Sequence, residues 1–232
     1  MKTPGIIGGV GPESTLDYYR SIISLYREHF DPDGYPEIVL LSIDMTRMLT
    51  MIEAADMSGL IGYLLDGFAR LQAAGADFGA IASNTPHVVF AELRERATLP
   101  LISIVEATIE RAVSAGIGCV ALLGTAFTMR NDFYRKAFER EGIELHVPTT
   151  DEQNYIHRRI FEELEFGVVK SETRAGFDAI IDRMRRDHGV EGVVLGCTEL
   201  PLLYADPTGP GGLPLFNTAR IHIEKIVDAM KP

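Results

Sequence analysis

The sequence predicts an α/β protein made of two similar halves, each a parallel sheet with helices on its faces. Short apolar runs that end in glycine alternate with longer amphipathic stretches along the chain, which is typical of parallel α/β sheets. Parts of the first half recur in the second, and polar residues follow several of the apolar runs. Because open α/β sheets carry their chemistry at the carboxyl ends of the strands, those polar residues are the candidates for a functional site.

The start of the chain predicts a strand, a glycine-rich turn and a helix. The apolar run 4–9 is the strand, and we expect Ser14 or Thr15 to cap the helix that follows. The helix should bury one stripe of apolar side chains: Leu16, Tyr19, Ile22, Ile23 and Tyr26. A dinucleotide-binding turn is not expected, because the third glycine of that fingerprint is missing and Pro12 leaves little room for a pyrophosphate.

The first half continues with two more strands and a helix between them. A strand over 38–43 ends at the polar stretch 44–47, and a strand over 78–82 ends in Ser83-Asn84-Thr85-Pro86-His87. The helix between them, over about 59–74, has one apolar stripe: Leu60, Leu64, Phe68 and Leu71. Both strands therefore deliver polar side chains to the same edge of the predicted sheet.

An internal repeat relates the two halves at a displacement of about 115 residues. The matched positions are Gly9, Asp17, Tyr19 and Arg20 with Gly124, Asp132, Tyr134 and Arg135, then Leu99-Pro100-Leu101 with Leu213-Pro214-Leu215, and Ile109, Glu110 and Val113 with Ile223, Glu224 and Val227. The same displacement places Ser83 opposite Cys197. We therefore predict a first lobe of residues 1–98 and 208–232 and a second lobe of 99–207, with their functional loops facing each other across a cleft.

Composition excludes several classes of partner and cofactor. The formal net charge is −11, with 22 Lys and Arg among 33 Asp and Glu, which argues against a nucleic acid or an anionic membrane as partner. Cytoplasmic residence is expected, because the start of the chain lacks a signal-peptide pattern and no stretch approaches about 18 apolar residues. No Lys follows a strand and glycine as a pyridoxal phosphate site would require, and no His and Cys pairing has metal-ligand spacing.

Cys197 is the strongest candidate for chemistry. It follows the buried run 192–196, and Gly196 allows the chain to turn so that the thiol lies at the end of a strand. We expect nearby backbone N–H groups and the Thr198 hydroxyl to lower the pKa of this thiol from about 8.5, so that Cys197 acts as an acid, a base or a nucleophile. Cys119, inside another apolar run, is expected to be a small buried hydrophobic residue.

Five short runs, spread over nearly the whole chain, resemble the aspartate/glutamate racemase family. They are Gly8-Gly9-Val10-Gly11-Pro12-Glu13-Ser14-Thr15, Asn84-Thr85-Pro86-His87, Leu123-Gly124-Thr125, Phe161-Glu162-Glu163-Leu164 and Gly196-Cys197-Thr198-Glu199-Leu200. The resemblance implies two pseudo-symmetric Rossmann-like lobes, a homodimer, no cofactor, and an acidic amino acid bound between the lobes.

The resemblance also implies a catalytic pair, and this chain departs from the usual one. Family members that racemise in both directions carry a Cys on each side, whereas this sequence has Ser83 opposite Cys197. Each pKa unit is worth about 1.36 kcal/mol, so an alkoxide is much harder to form than a thiolate. The resemblance implies that the Cys of the second lobe attends the L face, so we expect Cys197 to take the α-proton of the L-enantiomer and the Ser83 side to deliver the new proton.

The remaining site residues follow from their positions in the matched runs. The resemblance implies substrate contacts from Val10, Arg47, Asn84, Thr85, Thr128 and Thr198. Arg47 would hold the distal carboxylate, while Thr128 would either bind a carboxylate or cap a helix. Glu199 either supports Cys197 or makes a structural hydrogen bond, and His87 and His157 are expected to be structural.

Two other functions stay open at this point. A single thiol would also serve a decarboxylase or a maleate-type isomerase of the same superfamily, and loss of the first Cys is compatible with such a change. Duplicated α/β lobes also occur in non-catalytic solute-binding proteins. The substrate could be aspartate or glutamate, because the chain has Leu164, Glu165 and Phe166 where some relatives place a Lys for the distal carboxylate.

Overall fold

The computed structural model describes residues 1–204 and 206–231. The strands are β1 (Pro4–Gly8), β2 (Val39–Ser42), β3 (Phe78–Ile81), β4 (Leu101–Ile102), β5 (Cys119–Gly124), β6 (Glu144–His146), β7 (Gly192–Gly196) and β8 (Leu215–Asn217). The α-helices are α1 (Pro12–His29), α2 (Met45–Glu53), α3 (Met57–Ala73), α4 (Phe90–Arg96), α5 (Ile104–Ser114), α6 (Ala126–Arg130), α7 (Phe133–Arg140), α8 (Thr150–Glu162), α9 (Ser171–His188) and α10 (Thr218–Ala229). Short 3-10 turns cover Thr85–Val89, Leu164–Phe166, Leu200–Leu203 and Pro210–Gly212.

The strands form two four-stranded parallel sheets, as the sequence predicts. The first has the order β2-β1-β3-β4 and the second the order β6-β5-β7-β8. The second order repeats the first, strand for strand, so the topology agrees with an internal duplication. The predicted strands begin and end within one or two residues of the observed ones.

The chain folds as two compact units. The first contains Met1–Ile104 and the segment that begins at His222, and the second contains Val105–Ile221. The stripe predicted for α3 lies in the core of the first unit, with each of its four side chains at most 2% exposed. In the second unit, residues of β5 and β7 pack against α8 and α9, including Leu123, Leu195, Ile160 and Phe177.

The buried face of α1 differs from the predicted one. Tyr18, Ile22 and Leu25 are its buried apolar residues, whereas Leu16 is 44% and Tyr19 48% exposed. The repeat partner of Tyr19, Tyr134, is fully buried in α7. The match between these two tyrosines in sequence therefore does not extend to their environments.

No helix within residues 1–204 and 206–231 is both long enough and apolar enough to cross a bilayer.

Candidate active site

The carboxyl edge of the first sheet gathers the site residues that the sequence assigns to the first half. Val10 follows β1, Arg47 follows β2, and Ser83, Asn84 and Thr85 follow β3. These are three adjacent strands of one sheet. Ser83 and Asn84 are buried, Val10 and Thr85 are half-buried, and Arg47 is exposed.

The turn after β1 is held by glycine conformations and by hydroxyl groups. Gly9 has a φ of +84°, and a Cβ on it would lie 2.5 Å from the carbonyl oxygen of Ile43. The Thr15 hydroxyl accepts a hydrogen bond from the Gly9 N–H at 2.9 Å and donates to the Gly11 carbonyl at 3.1 Å. Ser14 donates to the Ala82 carbonyl at 3.0 Å and so ties the turn to the end of β3.

The predicted capping role of Ser14 or Thr15 is therefore wrong. Helix α1 begins at Pro12, and its N-cap is Gly11, which has no side chain to accept a hydrogen bond. Pro12 suits the first turn because its missing N–H would have had no partner within the helix. The two hydroxyls instead brace the turn and the neighbouring strand.

A pair of buried histidines fixes the backbone at Ser83. His87 Nδ1 lies 2.9 Å from the Ser83 carbonyl oxygen, to which it donates, and Nε2 accepts from the Ile104 N–H at 3.2 Å. One donor and one acceptor nitrogen require the neutral imidazole. The pKa of His87 is lowered to about 3, mainly by burial and further by the nearby His222. His87 thus has the structural role expected from the sequence.

His222 packs beside it in the same neutral state. Its Nε2 donates to the Ile102 carbonyl at 3.1 Å, and its Nδ1 accepts from the Tyr18 hydroxyl at 2.8 Å. The two imidazole rings lie edge to face, with centroids 6.3 Å apart. Burial lowers the pKa of His222 to about 4. No local pattern points to this histidine, because it comes from α10, more than 130 residues after His87 in the chain.

Arg47 lies in the first turn of α2. Its backbone N–H donates to the Asp44 carboxylate, which caps the helix at 3.1 Å. The guanidinium carbon lies 4.5 Å from the centroid of the Tyr63 ring, whose hydroxyl accepts from the Asp44 N–H at 2.9 Å. A guanidinium that lies over an aromatic ring contacts the ring with its flat face. The N–H donors at its edge are then available to bind an anion.

In the second unit, the ends of β5 and β7 approach closely. A Cβ on Gly124 would lie 3.0 Å from the Gly196 carbonyl oxygen, and one on Gly196 would lie 3.2 Å from the Thr128 Cγ2. Thr125 caps α6 by accepting from the Thr128 N–H at 3.3 Å. Thr128 is therefore not the cap, and it lies within the helix rather than before it.

The Thr128 side chain is buried, and its hydroxyl lies 3.2 Å from the Thr125 hydroxyl. Thr128 packs against Gly124 and Gly196, so the close approach of these two strand ends determines where its side chain lies.

Cys197 directly follows β7, and its thiol donates to the Glu199 carboxylate at 2.8 Å. The Thr198 hydroxyl donates to the other oxygen of Glu199 at 3.0 Å. Cys197 is 9% exposed. Glu199 thus contacts the candidate catalytic thiol directly.

The expectation of a lowered thiol pKa is wrong for this structure. Burial raises the pKa of Cys197 well above its ordinary value, and the charge of Glu199 raises it further. Glu165 adds to the same effect, and the pKa of Glu165 is itself raised by burial and by Glu199. The thiol is therefore held protonated beside a carboxylate that can accept its proton.

Glu163 anchors the turn that carries Glu165. It is buried and accepts hydrogen bonds from Arg159 at 2.6 Å, from Lys170 at 3.1 Å and from the Thr173 hydroxyl. The bond from Thr173 is the main cause of the lowered pKa of Glu163, which keeps this carboxylate ionised.

His157 contacts the other strand end of this unit. Its Nδ1 accepts from the Ala126 N–H at 3.3 Å, and burial together with the charge of Arg130 lowers its pKa. It holds the first turn of α6, a structural role like the one expected from the sequence.

Known proteins resemble this chain over most of its length. The family model described as Asp/Glu/Hydantoin racemase matches residues 7–226. The broad specificity amino-acid racemase RacX of Bacillus subtilis is 30% identical over 145 residues. That alignment covers 61% of this chain and 62% of RacX, which is less than two thirds of that protein.

Solved structures cover the chain more completely. A chain described as a candidate Asp/Glu racemase from Yersinia pestis is 31% identical with a TM-score of 0.92. An aspartate racemase homologue from Pyrococcus horikoshii is 39% identical with a TM-score of 0.87. Each alignment covers 99% of both chains.

Proposed function

Because the chain belongs to the Asp/Glu/Hydantoin racemase family, we propose that it is a cofactor-independent racemase of an acidic amino acid, aspartate or glutamate. The observation that carries the proposal is the Cys197 thiol at the end of β7, hydrogen-bonded to the Glu199 carboxylate at 2.8 Å. Relatives named as a broad specificity amino-acid racemase and as an aspartate racemase homologue support the substrate class.

Cys197 is the proposed base for the L-enantiomer. Its proton passes along the existing hydrogen bond to Glu199, which leaves a thiolate beside a neutral carboxylic acid. The thiolate then takes the α-proton, and the electron pair of the broken C–H bond delocalises into the α-carboxyl group. The substrate ammonium favours this transfer, because a nearby positive charge lowers the pKa of a thiol.

The Ser83 side is the proposed proton donor to the opposite face. A hydroxyl has too high a pKa to be an effective base but can donate a proton to a carbanion, directly or from a water that it holds. The proton lost is replaced from solvent. Solvent hydrogen should therefore enter the α-position of the L-enantiomer faster than that of the D-enantiomer, although kcat/KM is equal in the two directions because the enantiomers have equal free energies.

Polar groups at the strand ends are the proposed substrate ligands. We assign amide, hydroxyl and backbone donors for the α-carboxylate to Asn84, Thr85 and Thr198. Val10 and Thr128 are proposed to contact the substrate from the neighbouring turns. The exposed guanidinium of Arg47 is the proposed partner of the distal carboxylate. Such local donors are required because the formal net charge of the chain, −11, disfavours an anionic ligand.

Hydrogen exchange at the α-carbon tests the proposal. Purified protein is incubated in heavy water with L- and D-aspartate and with L- and D-glutamate, and deuterium incorporation is followed by NMR. We expect the L-enantiomer of at least one of them to exchange faster than the D-enantiomer. Equal exchange rates for both enantiomers would exclude the asymmetric mechanism, and no exchange at all would exclude racemisation of these substrates.

Two variants assign the roles of the paired residues. Cys197→Ser should abolish exchange of the L-enantiomer, whereas Ser83→Cys should increase exchange of the D-enantiomer. Ser21→Cys is the matched control, because Ser21 lies on α1 and its hydroxyl donates to Asp17 on the exposed surface. An equal gain from Ser21→Cys would show that the added thiol does not act through position 83.

The single thiol also favours a second candidate reaction of the same superfamily. Ser83 stands at the position paired with Cys197, so one-thiol decarboxylation of a malonate or isomerisation of maleate is a defined alternative. Incubation with maleate and with an arylmalonate, followed by NMR, separates these reactions from racemisation. Product from either compound without amino-acid exchange would replace the racemase proposal.

Binding without turnover is the non-enzymatic alternative. Calorimetry that finds tight binding of aspartate or glutamate, with no solvent exchange, would favour a binding protein.

We further propose that the protein is cytoplasmic and forms a homodimer. The dimer is supported by Leu16 and Tyr19, two apolar side chains that α1 leaves exposed. Sedimentation equilibrium of the wild type and of Leu16→Glu tests the dimer, which should weaken in the variant.

A further inference from the structure

Three chemically different metal ligands meet at the amino end of the second sheet. Cys119 is the first residue of β5 and pairs in register with Glu144, the first residue of β6. His146 lies two residues further along β6. Side chains at alternate positions of a strand share a face, and so do those of register partners, so all three point to one face of the sheet.

The donor atoms are already close together. The Cys119 sulfur, a Glu144 carboxylate oxygen and a His146 ring nitrogen all lie within 4.8 Å of one another. His146 Nε2 and Glu144 Oε1 are 2.8 Å apart. Ligand atoms around a tetrahedral Zn²⁺ are about 3.3–3.8 Å apart, given bond lengths of about 2.0–2.3 Å, so side-chain rotations would complete the geometry.

The position is accessible to an ion from solvent. Strand β6 is at the edge of its sheet, and the side chains of His146 and Glu144 are 22% and 68% exposed. The His188 ring, at the end of α9, stacks on His146 with centroids 4.3 Å apart and restricts its orientation. Solvent therefore reaches the cluster from the side of the exposed Glu144 carboxylate.

Local charge favours a cation at this place. The Glu191 carboxylate accepts from the Gly118 N–H at 2.7 Å, next to Cys119 in the chain. Burial raises the pKa of the Cys119 thiol, and Glu144 and Glu191 raise it further. The negative potential that disfavours a bare thiolate stabilises a divalent cation, which would displace the thiol proton.

We propose that Cys119, Glu144 and His146 form a binding site for a Zn²⁺-class transition-metal ion. Thiolate, imidazole and carboxylate together select a borderline ion such as Zn²⁺ or Co²⁺ over Mg²⁺ or Ca²⁺, which prefer oxygen ligands alone. On binding, the Cys119 S–H bond breaks, a sulfur–metal bond forms and one proton is released to solvent. No redox change is involved.

The site is separate from the candidate active site. Cys119 begins β5, whereas Gly124 ends it, and five residues of strand span about 16 Å. Sequence spacing could not reveal the cluster, because Cys119 and His146 lie in different strands and meet only through the register of β5 and β6. Cys119 packs against the core of the second unit, as expected of a small hydrophobic residue, but it is half-buried rather than buried and its thiol donates to the His188 carbonyl at 3.5 Å.

Anaerobic titration with Co²⁺ tests the proposal on the metal-free wild-type protein. A thiolate bound to Co²⁺ gives a charge-transfer absorption in the near ultraviolet, and we expect one Co²⁺ per chain with release of a proton. Zn²⁺ added afterwards should remove the absorption by displacing Co²⁺. Absence of the band at saturating Co²⁺ would overturn the proposal.

The two cysteines provide a matched comparison. Cys119→Ser should abolish the band, and Cys197→Ser should retain it; the reverse pattern would place the metal at Cys197 and overturn the proposal. Glu144→Gln and His146→Ala should each weaken Zn²⁺ binding by about tenfold or more in calorimetry, with an unchanged circular dichroism spectrum. Unchanged affinity in both variants would likewise overturn it.

Discussion

The buried histidine pair makes the first unit sensitive to acid, and the variant His222→Gln isolates the effect. Glutamine keeps both hydrogen-bonding functions, because its amide N–H can reach the Ile102 carbonyl and its amide oxygen the Tyr18 hydroxyl. It removes only the titratable group. The perturbation therefore changes the pH dependence of stability more than the stability at neutral pH.

The magnitude follows from the lowered pKa values. Folding moves the pKa of His87 from about 6.5 to about 3 and that of His222 to about 4. Below pH 6.5 these two histidines bind protons in the unfolded chain but not in the folded chain. The free energy of unfolding therefore falls as pH falls through this range. Because the unfolded histidines are already half-protonated at pH 6.5, the loss between pH 6.5 and pH 5 is roughly 1.5–2 kcal/mol for each histidine and about 3 kcal/mol for the pair.

Urea denaturation followed by circular dichroism at pH 7.5, 6.5, 5.5 and 5.0 measures this slope. His222→Gln should lose about 2 kcal/mol less than the wild type between pH 6.5 and pH 5, because only His87 still titrates. Tyr18→Phe is the control: it removes a hydrogen bond to His222 but keeps both histidines, so its curve should lie lower and parallel to that of the wild type. Parallel curves for His222→Gln and the wild type would refute the reasoning.

Three further substitutions follow from the structure. Glu199→Gln removes a charge that raises the pKa of Cys197. Alkylation of Cys197, measured by peptide mass spectrometry as a function of pH, should therefore have its midpoint at lower pH than in the wild type. An equal or higher midpoint contradicts this. Glu163→Gln removes a buried carboxylate from its partly exposed partners Arg159 and Lys170 and should cost about 2–3 kcal/mol of unfolding free energy. A loss near zero would show that these bonds are exchanged for water. Gly9→Ala should lower the urea midpoint of unfolding more than Gly142→Ala. Both glycines have a positive φ, but only at Gly9 would the new Cβ meet backbone atoms within 4 Å. Equal shifts would show that the structure relaxes to relieve this contact.

The sequence was sufficient for the architecture because parallel α/β sheets depend on local patterns. Short apolar runs mark the central strands of both sheets, with β1, β5 and β7 ending in glycine, and the duplication sets the same strand order in each half. The buried face of α1 could not be read in the same way. Apolar residues lie on both sides of that helix, and packing against the rest of the unit selects Tyr18 and Leu25 over Leu16 and Tyr19.

The chemistry of the candidate site was less predictable than its position. The sequence locates Cys197 at a strand end, but the pKa of its thiol is raised mainly by burial and further by the Glu199 side chain, which turns back to the thiol. The contribution of Glu165 depends on a turn held by Glu163 through partners up to ten residues away. Side-chain directions and distant partners of this kind are properties of the folded chain.

The duplication also explains why the two strand ends differ chemically. At the displacement that pairs Ser83 with Cys197, Thr85 occupies the position of Glu199. The second half therefore combines a thiol with a carboxylate that can take its proton, whereas the first half combines two neutral hydroxyls. The His87 bond is to the Ser83 carbonyl, so it orients the backbone there rather than the hydroxyl. Under the proposed asymmetric mechanism, this difference assigns proton removal to Cys197 and proton delivery to Ser83.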